Sequence, residues 1–163
     1  MKPVAVVILN WNGAKLLQEF LPSVCTYTPE CLADVIVVDN GSTDSSLEVL
    51  HDEFPAVRVI AFDQNYGFAK GYNLAIDKLS EYRYILLLNS DVEVTEGWLQ
   101  PLYEYAEKHP HVAALQPKIR AYRDKEYFEY AGACGGYLDC NGYPYCRGRI
   151  FDTIERDNGQ YDD

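Results

Sequence analysis

Val35-Ile36-Val37-Val38-Asp39-Asn40-Gly41-Ser42-Thr43-Asp44 is the stretch that decides the fold. Four successive β-branched residues between Asp34 and Asp39 read as a strand buried on both faces, the pattern of a parallel sheet. The polar run behind them ends the strand. Leu47, Leu50 and Phe54 then recur at helical spacing until Pro55 stops the helix. The same unit repeats on either side. Upstream, Val4 to Leu9 is a short apolar run bounded by Asn10. Gly13 follows, with Ala14, Leu17, Leu21 and Val24 at helical spacing before Pro29. Downstream, Val57 to Phe62 alternates as a third strand, and Phe68, Tyr72, Ala75 and Leu79 form another helical stripe. Tyr84 to Leu88 reads as a fourth strand. Trp98, Leu102 and Tyr105 mark a fourth helix capped by Thr95, and Val112 to Gln116 reads as a fifth strand. Strands alternating with helices predict βαβ units, and right-handed crossovers make them a Rossmann-like α/β domain with a mainly parallel central sheet.

The alternation stops after Lys118, which divides the chain into an α/β domain over 1–118 and a loop-rich region over 119–163. Gly135-Gly136, Asn141-Gly142 and Tyr143-Pro144 are turn signals there, and the stretch from Asp152 onward is acidic and without period. Hydrophobic residues at 48% and charged ones at 24% are ordinary globular usage, which excludes a disordered chain. A net charge of −11 argues against nucleic acid as a partner, because phosphate binding needs a basic face. The apolar runs are too short for a signal peptide or a membrane span, so a soluble, cytoplasmic protein is expected. Cys134, Cys140 and Cys146 lack the paired spacing of zinc ligands and have no histidine among them, so reduced thiols are expected.

In an open α/β sheet, ligands bind at the carboxyl ends of the strands. Each predicted strand here runs into a polar loop: Leu9 closes the first, with Asn10 and Asn12 after it, and Asp39, Gly41 and Ser42 follow the second. Asn65 and Gly67 follow the third, and Asn89, Ser90 and Asp91 the fourth. Turn chemistry accounts for any one such loop; four on one edge point to a ligand. On extended backbone Asn89 and Asp91 share a face that Glu93 continues, an oxygen donor set for Mg²⁺ or Mn²⁺ with Asp91 as the direct ligand. Asp39 can accept from a base N–H or a ribose hydroxyl, and Gly41-Ser42 allow close backbone approach. Asp44 is read as the cap of the following helix. Lys70 can face a phosphate, with Asn73 on the same helix face, although a solvated lysine explains it as well.

With these motifs in view, the sequence resembles family 2 glycosyltransferases of the GT-A fold, particularly bacterial rhamnosyltransferase-like members. The resemblance runs through residues 6–13, 35–44, 65–73 and 86–94, and 135–144 looks like the same subfamily. It implies that Asp39 reads the nucleobase, that Asn65 to Asn73 line the nucleotide pocket, and that Asn89-Ser90-Asp91 stands in for a DxD metal motif with Asn as its first member. The implied donor is a UDP- or dTDP-linked sugar and the implied acceptor a saccharide or lipid-linked saccharide, with peripheral membrane association of the intact enzyme. The implied reaction is metal-assisted displacement with inversion. Family chains continue into an acceptor-binding half that carries the general base, which is therefore expected beyond Asp163; a chain ending here would bind donor only. The alternative from another class is a non-catalytic nucleotide-binding module on the same fold. A dinucleotide-dependent oxidoreductase would need Gly-x-Gly-x-x-Gly after the first strand, where Asn10-Trp11-Asn12-Gly13-Ala14-Lys15 stands instead. A pyrophosphorylase would need a glycine-rich, basic first loop, and this one offers Gly13 and Lys15.

Overall fold

The β-branched runs become the two central strands of a four-stranded sheet. The computed structural model describes residues 2–129, 134–150 and 152–162, which divide into two compact units, 1–99 and 100–163.

In the first unit the order is β1 (Val4–Asn10), α1 (Ala14–Tyr27), β2 (Ala33–Asp39), α2 (Ser46–Glu53), β3 (Arg58–Ala61), α3 (Phe68–Ile76) and β4 (Tyr84–Leu88). The strands lie in the order β3-β2-β1-β4, all parallel. The chain builds outward from β1 through β2 to β3, then crosses to the other side of β1, so strand order reverses at β1 and β4. Val4 to Ile8 and Ile36 to Val38 are buried, as expected of strands covered on both faces. Ala5, Val7, Ile36 and Val38 meet Tyr72 and Ala75 of α3 and Leu79 in the turn that follows it. The alternate residues face the other way, where α1 buries Leu17, Phe20, Leu21 and Val24 and packs beside α2. Every carboxyl end therefore reaches the same edge, with Asn10 in register with Asp39, Asp39 with Ala61, and Ile8 with Leu88.

The second unit holds α4 (Gln100–Lys108) and a small antiparallel sheet, β5 (Gly136–Leu138), β6 (Pro144–Cys146), β7 (Arg149–Ile150) and β8 (Thr153–Ile154), in that order. Phe128 is its buried centre, packed with Cys134, Ile119 and Tyr161. Gly148 lies so close that a Cβ there would stand 2.6 Å from the Phe128 ring. Asp157, nearly sealed from solvent, takes ion pairs from Lys118 at 3.0 Å and Arg120 at 2.7 Å, which ties the acidic C-terminal stretch down. Its strands are two or three residues long, too short to show a period in sequence.

Two sequence expectations fail. Residues 112–116 form no strand. Ala113 and Ala114 are poor strand formers, Pro117 cannot donate to a ladder, and Ala113 to Gln116 are exposed. The fourth helix begins at Gln100, so Thr95 does not cap it. Thr95 instead accepts a turn hydrogen bond from the Trp98 N–H at 3.2 Å, and Gly97 at φ 74° keeps the chain out of helix until Gln100. All five cysteines are free thiols. Among the described residues no helix is long and apolar enough to cross a membrane.

Candidate functional site

Asn10 closes β1 and is wholly buried beside Asp39, which closes β2. The Asn10 Nδ2 donates to Asp39 Oδ1 at 3.1 Å and to Ser42 Oγ at 3.3 Å, while Asp39 Oδ2 accepts from the Ser42 N–H at 3.0 Å. Asp39 thus spans from its strand partner to its own loop. The remaining Asn10 oxygen has no partner among the described residues, and a side chain at Gly13 would come within 2.4 Å of it. Asn12 adopts the left-handed conformation at φ 50°, which a short amide side chain tolerates. Its Oδ1 accepts from the Thr43 N–H at 2.7 Å and the Asp44 N–H at 3.3 Å, and its own N–H donates to Ser42 Oγ at 2.9 Å. The loops after β1 and β2 are therefore clamped together.

Asp44 does more than cap its own helix. One oxygen accepts from the Ser46 N–H at 3.0 Å and the Ser46 hydroxyl at 2.6 Å at the start of α2; the other accepts from the Ala14 N–H, the first of α1, at 3.1 Å. A single carboxylate satisfies orphan donors of two helices. Desolvation works against its ionisation, yet these hydrogen bonds together outweigh it and hold the Asp44 carboxyl below the usual range. The cap residue by geometry is Ser45, which makes no side-chain capping bond.

Asn40 carries the clamp on to the third loop. It is 2% exposed; its Oδ1 accepts from the Tyr66 N–H at 2.9 Å, and its Nδ2 donates to Asn65 Oδ1 at 3.0 Å and to the Gly67 carbonyl at 3.2 Å. Asn65 Oδ1 also accepts the Gly67 N–H at 2.7 Å. Gly41, at φ 72°, lets the second loop lie against the backbone of Gln64 and Asn65. Gly71 lets α3 close on Leu9, whose methyls would stand 3.0 and 3.2 Å from a Cβ there. Lys70 sits with its Nζ 4.8 Å above the Tyr66 ring, and the Tyr66 hydroxyl donates to Asp63 at 2.8 Å. Asn73 is exposed.

The fourth loop is different. The buried Tyr72 hydroxyl donates to the Leu88 carbonyl at 3.1 Å and so fixes the end of β4, and burial pushes the Tyr72 phenol up. Beyond it Asn89 and Asp91 are exposed, Ser90 is half-buried, and Ser90-Asp91 forms a turn. The extended backbone expected there is absent, so strand alternation does not align Asn89 with Asp91; β4 has ended at Leu88, where its pairing with β1 ends. Among the described residues, Asn89, Ser90 and Asp91 have no hydrogen-bond or ion-pair partner, and no three His, Cys, Asp or Glu side chains converge as a metal cage.

The structure thus joins Asn10, Asn12, Asp39, Ser42, Asn65 and Gly67 in one braced network and leaves Lys70, Asn73 and the Asn89–Asp91 turn outside it. The sequence reading missed Asn40, hidden because Asn-Gly reads as turn punctuation. It also missed two exposed aromatics beside these loops: Trp11 in the first loop, 56% exposed, and Phe68, which opens α3 and stands 69% exposed although the helical stripe had placed it with Tyr72 and Ala75. A cavity of about 510 Å³ between α2 and β3 is lined by Leu47, Leu50, Phe54, Pro55 and other largely apolar groups and lacks convergent polar side chains.

The sequence matches the family model described as Glycosyl transferase family 2 over residues 5–150. An uncharacterized glycosyltransferase of Haemophilus influenzae is 26% identical over 126 residues, covering 76% of this chain and 38% of that protein. The N-acetylglucosaminyl-diphospho-decaprenol L-rhamnosyltransferase of Mycobacterium tuberculosis is 29% identical over 125 residues, covering 71% of this chain and 40% of that protein. The crystal structure of S. aureus TarS 1–349 superposes with a TM-score of 0.65 at 26% identity, over 76% of this chain and 37% of that one. The chain spans less than half the length of each.

Proposed function

Because the chain belongs to glycosyl transferase family 2, we propose that it binds a nucleoside-diphosphate sugar across the carboxyl ends of β1 to β4. From there the sugar passes, with inversion, to a saccharide or lipid-linked acceptor. The observation that carries this reading is the contrast at one sheet edge: three loops braced around Asp39, and beside them Asp91 exposed and free to take a ligand. Each Asp39 oxygen accepts one protein hydrogen bond and keeps a second lone pair for a base N–H, and a uracil and a thymine present the same edge to it. Leu9, Asn10, Asn12, Gly41, Ser42, Asn65, Gly67 and Asn73 shape the nucleoside side. Lys70 reaches phosphate by leaving the Tyr66 ring.

The donor set at the β4 turn fits a hard divalent cation, Mg²⁺ or Mn²⁺. Asp91 supplies a carboxylate oxygen and Asn89 an amide oxygen, and such ions complete their shells with phosphate oxygens and water. Ser90 lies between them on the same turn as a diphosphate contact. When bound, the ion offsets the charge that builds on the departing diphosphate. The protein's own part is positioning: the braced loops hold the nucleoside while an acceptor hydroxyl attacks the anomeric carbon as its bond to the diphosphate oxygen breaks. The proton leaves the hydroxyl for a carboxylate general base. The region from 119 onward begins the acceptor side. The M. tuberculosis relative, by its name, acts on a lipid-linked saccharide, which supports that acceptor class.

Calorimetric titration of the chain with UDP, dTDP and GDP, with and without Mn²⁺, tests the reading. A pyrimidine diphosphate is expected to bind in the presence of Mn²⁺, with about tenfold or greater loss in Asp91→Ala. Folded protein that binds none of the three sinks the proposal.

A further inference from the structure

The hairpin of β5 and β6 turns through Cys140-Asn141-Gly142. The Gly142 N–H donates to the Asp139 carbonyl, Gly142 has φ 84°, and the Asp139 side chain accepts from the Asn141 and Tyr143 N–H groups. This tight loop fixes the register, which sets Tyr137 opposite Tyr145. The Tyr137 and Tyr145 rings stack with centroids 5.5 Å apart at 30°. The Arg147 guanidinium lies 5.8 Å from the Tyr137 ring centre, and its Nε is anchored on the Cys134 carbonyl at 2.7 Å. Tyr137 and Tyr145 are 51% and 50% exposed, and their hydroxyls have no partner among the described residues. The result is a stacked aromatic pair with polar tips, half open to solvent.

We infer that this pair, Tyr137 and Tyr145 with Arg147 beside Tyr137, is a stacking site for a pyranose ring of a neutral saccharide, the acceptor in the reading proposed above, on which this assignment rests. A pyranose presents C–H bonds on its flat face and hydroxyls at its rim. The C–H hydrogens meet the negative face of a tyrosine ring, and the rim hydroxyls meet phenol oxygens. The open area of the pair is on the order of 200 Å², taking roughly 200 Å² for a whole aromatic side chain. A stable protein interface needs about 800 Å² on each partner, so a small ligand fits this pair better than a second chain.

The test follows the tyrosine ring signals of the full 163-residue chain by NMR during titration with N,N′-diacetylchitobiose and, separately, maltose. Saturable shifts of Tyr137 and Tyr145 are expected with at least one sugar. Tyr145→Ala should weaken binding about tenfold, while Tyr145→Phe, which keeps the ring, stays within about threefold. No response to either sugar up to tens of millimolar overturns the inference, as does an unchanged affinity in Tyr145→Ala. Broadening of these signals with protein concentration alone also overturns it, since that marks self-association. UDP and Mn²⁺ added to the same sample separate the two readings. UDP bound without a sugar response removes this site and leaves the donor site standing; a sugar response without UDP binding removes the transferase reading and with it the acceptor role.

Discussion

Replacing Gly41 with alanine separates two costs that usually arrive together, backbone strain and collision. Gly41 has φ 72° and Gly97 has φ 74°, so alanine meets the same left-handed penalty at both, about 1–2 kcal/mol. Around Gly97 a new Cβ meets nothing within 4 Å. At Gly41 it would stand 2.5 Å from the Gln64 carbonyl carbon, 2.6 Å from its Cα and 2.8 Å from the Asn65 nitrogen. Ordinary contact begins near 3.4 Å, so backbone, which cannot swing aside like a side-chain end, must retreat by almost 1 Å. The bonds from Asn40 to the Tyr66 N–H and to Asn65 Oδ1, now 2.9 and 3.0 Å, would then exceed hydrogen-bonding distance. Two lost bonds at about 1 kcal/mol each add to the strain, giving about 3–4 kcal/mol for Gly41→Ala against 1–2 for Gly97→Ala. Urea unfolding of both variants measures the difference. Titration with UDP and Mn²⁺ should show the Gly41 variant, where folded, weakened and the Gly97 variant unchanged. Equal destabilisation of the two would refute the argument that the second loop is seated on the third.

The Lys2 ammonium, 2.8 Å from Asp34, holds that carboxyl below the usual range, helped by the Tyr82 hydroxyl at 2.7 Å. Its stabilisation is present above the ordinary carboxylate pKa and is lost as pH falls through the lowered folded value. Lys2→Met should move the Asp34 titration upward in NMR with little change in stability at neutral pH, because the pair is about one-third exposed; an unmoved Asp34 contradicts the pairing. Ellman's reagent should reach the exposed Cys31 and Cys140 first. Cys134, buried against Phe128 with its thiol pushed up by burial, should react last, and equal rates for Cys134 and Cys140 would deny that packing.

How much the sequence disclosed follows from how local each signal is. The runs 4–9 and 35–38 announce buried strands because burial on both faces demands unbroken apolar residues, and the structure puts strands there; Tyr84–Leu88 is a strand too, but at the sheet edge, where only Leu88 is buried. Residues 112–116 mislead because two alanines carry hydrophobicity without strand preference. Thr95 misleads because Gly97, two residues on, takes a conformation that no helix start allows. The loops were legible as polar but not as a circuit. Asp44 bonds to Ala14 thirty residues away and Asn40 to Tyr66 twenty-six away, partners that exist only once the sheet has brought the strand ends together. The stacked Tyr137 and Tyr145 were likewise hidden, because their pairing depends on a hairpin whose strands are three residues long.

The charge at this edge explains why the braced loops alone make an incomplete anion site. The segments 10–13, 40–45, 62–67 and 89–99 carry no lysine or arginine, yet they hold Asp44, Asp63, Asp91, Glu93 and Glu96, and Asp39 closes the strand beside them. Lys15 and Lys70 belong to helices, and Lys70 is drawn over Tyr66. A diphosphate approaching so acidic an edge meets like charge at three of its four loops. The base and ribose side needs little ordering, because its polar groups are already satisfied by one another, and preorganised loops cost less on binding. The phosphate side has the opposite need, a positive charge that these four loops do not carry and that Lys70 brings near them. Under the proposed function, a divalent cation at Asp91 would remove that conflict at the turn where the chain leaves a carboxylate unpaired. On that proposal the braced half of the site would select the nucleoside, and the acidic half would make its hold on the diphosphate conditional on the metal.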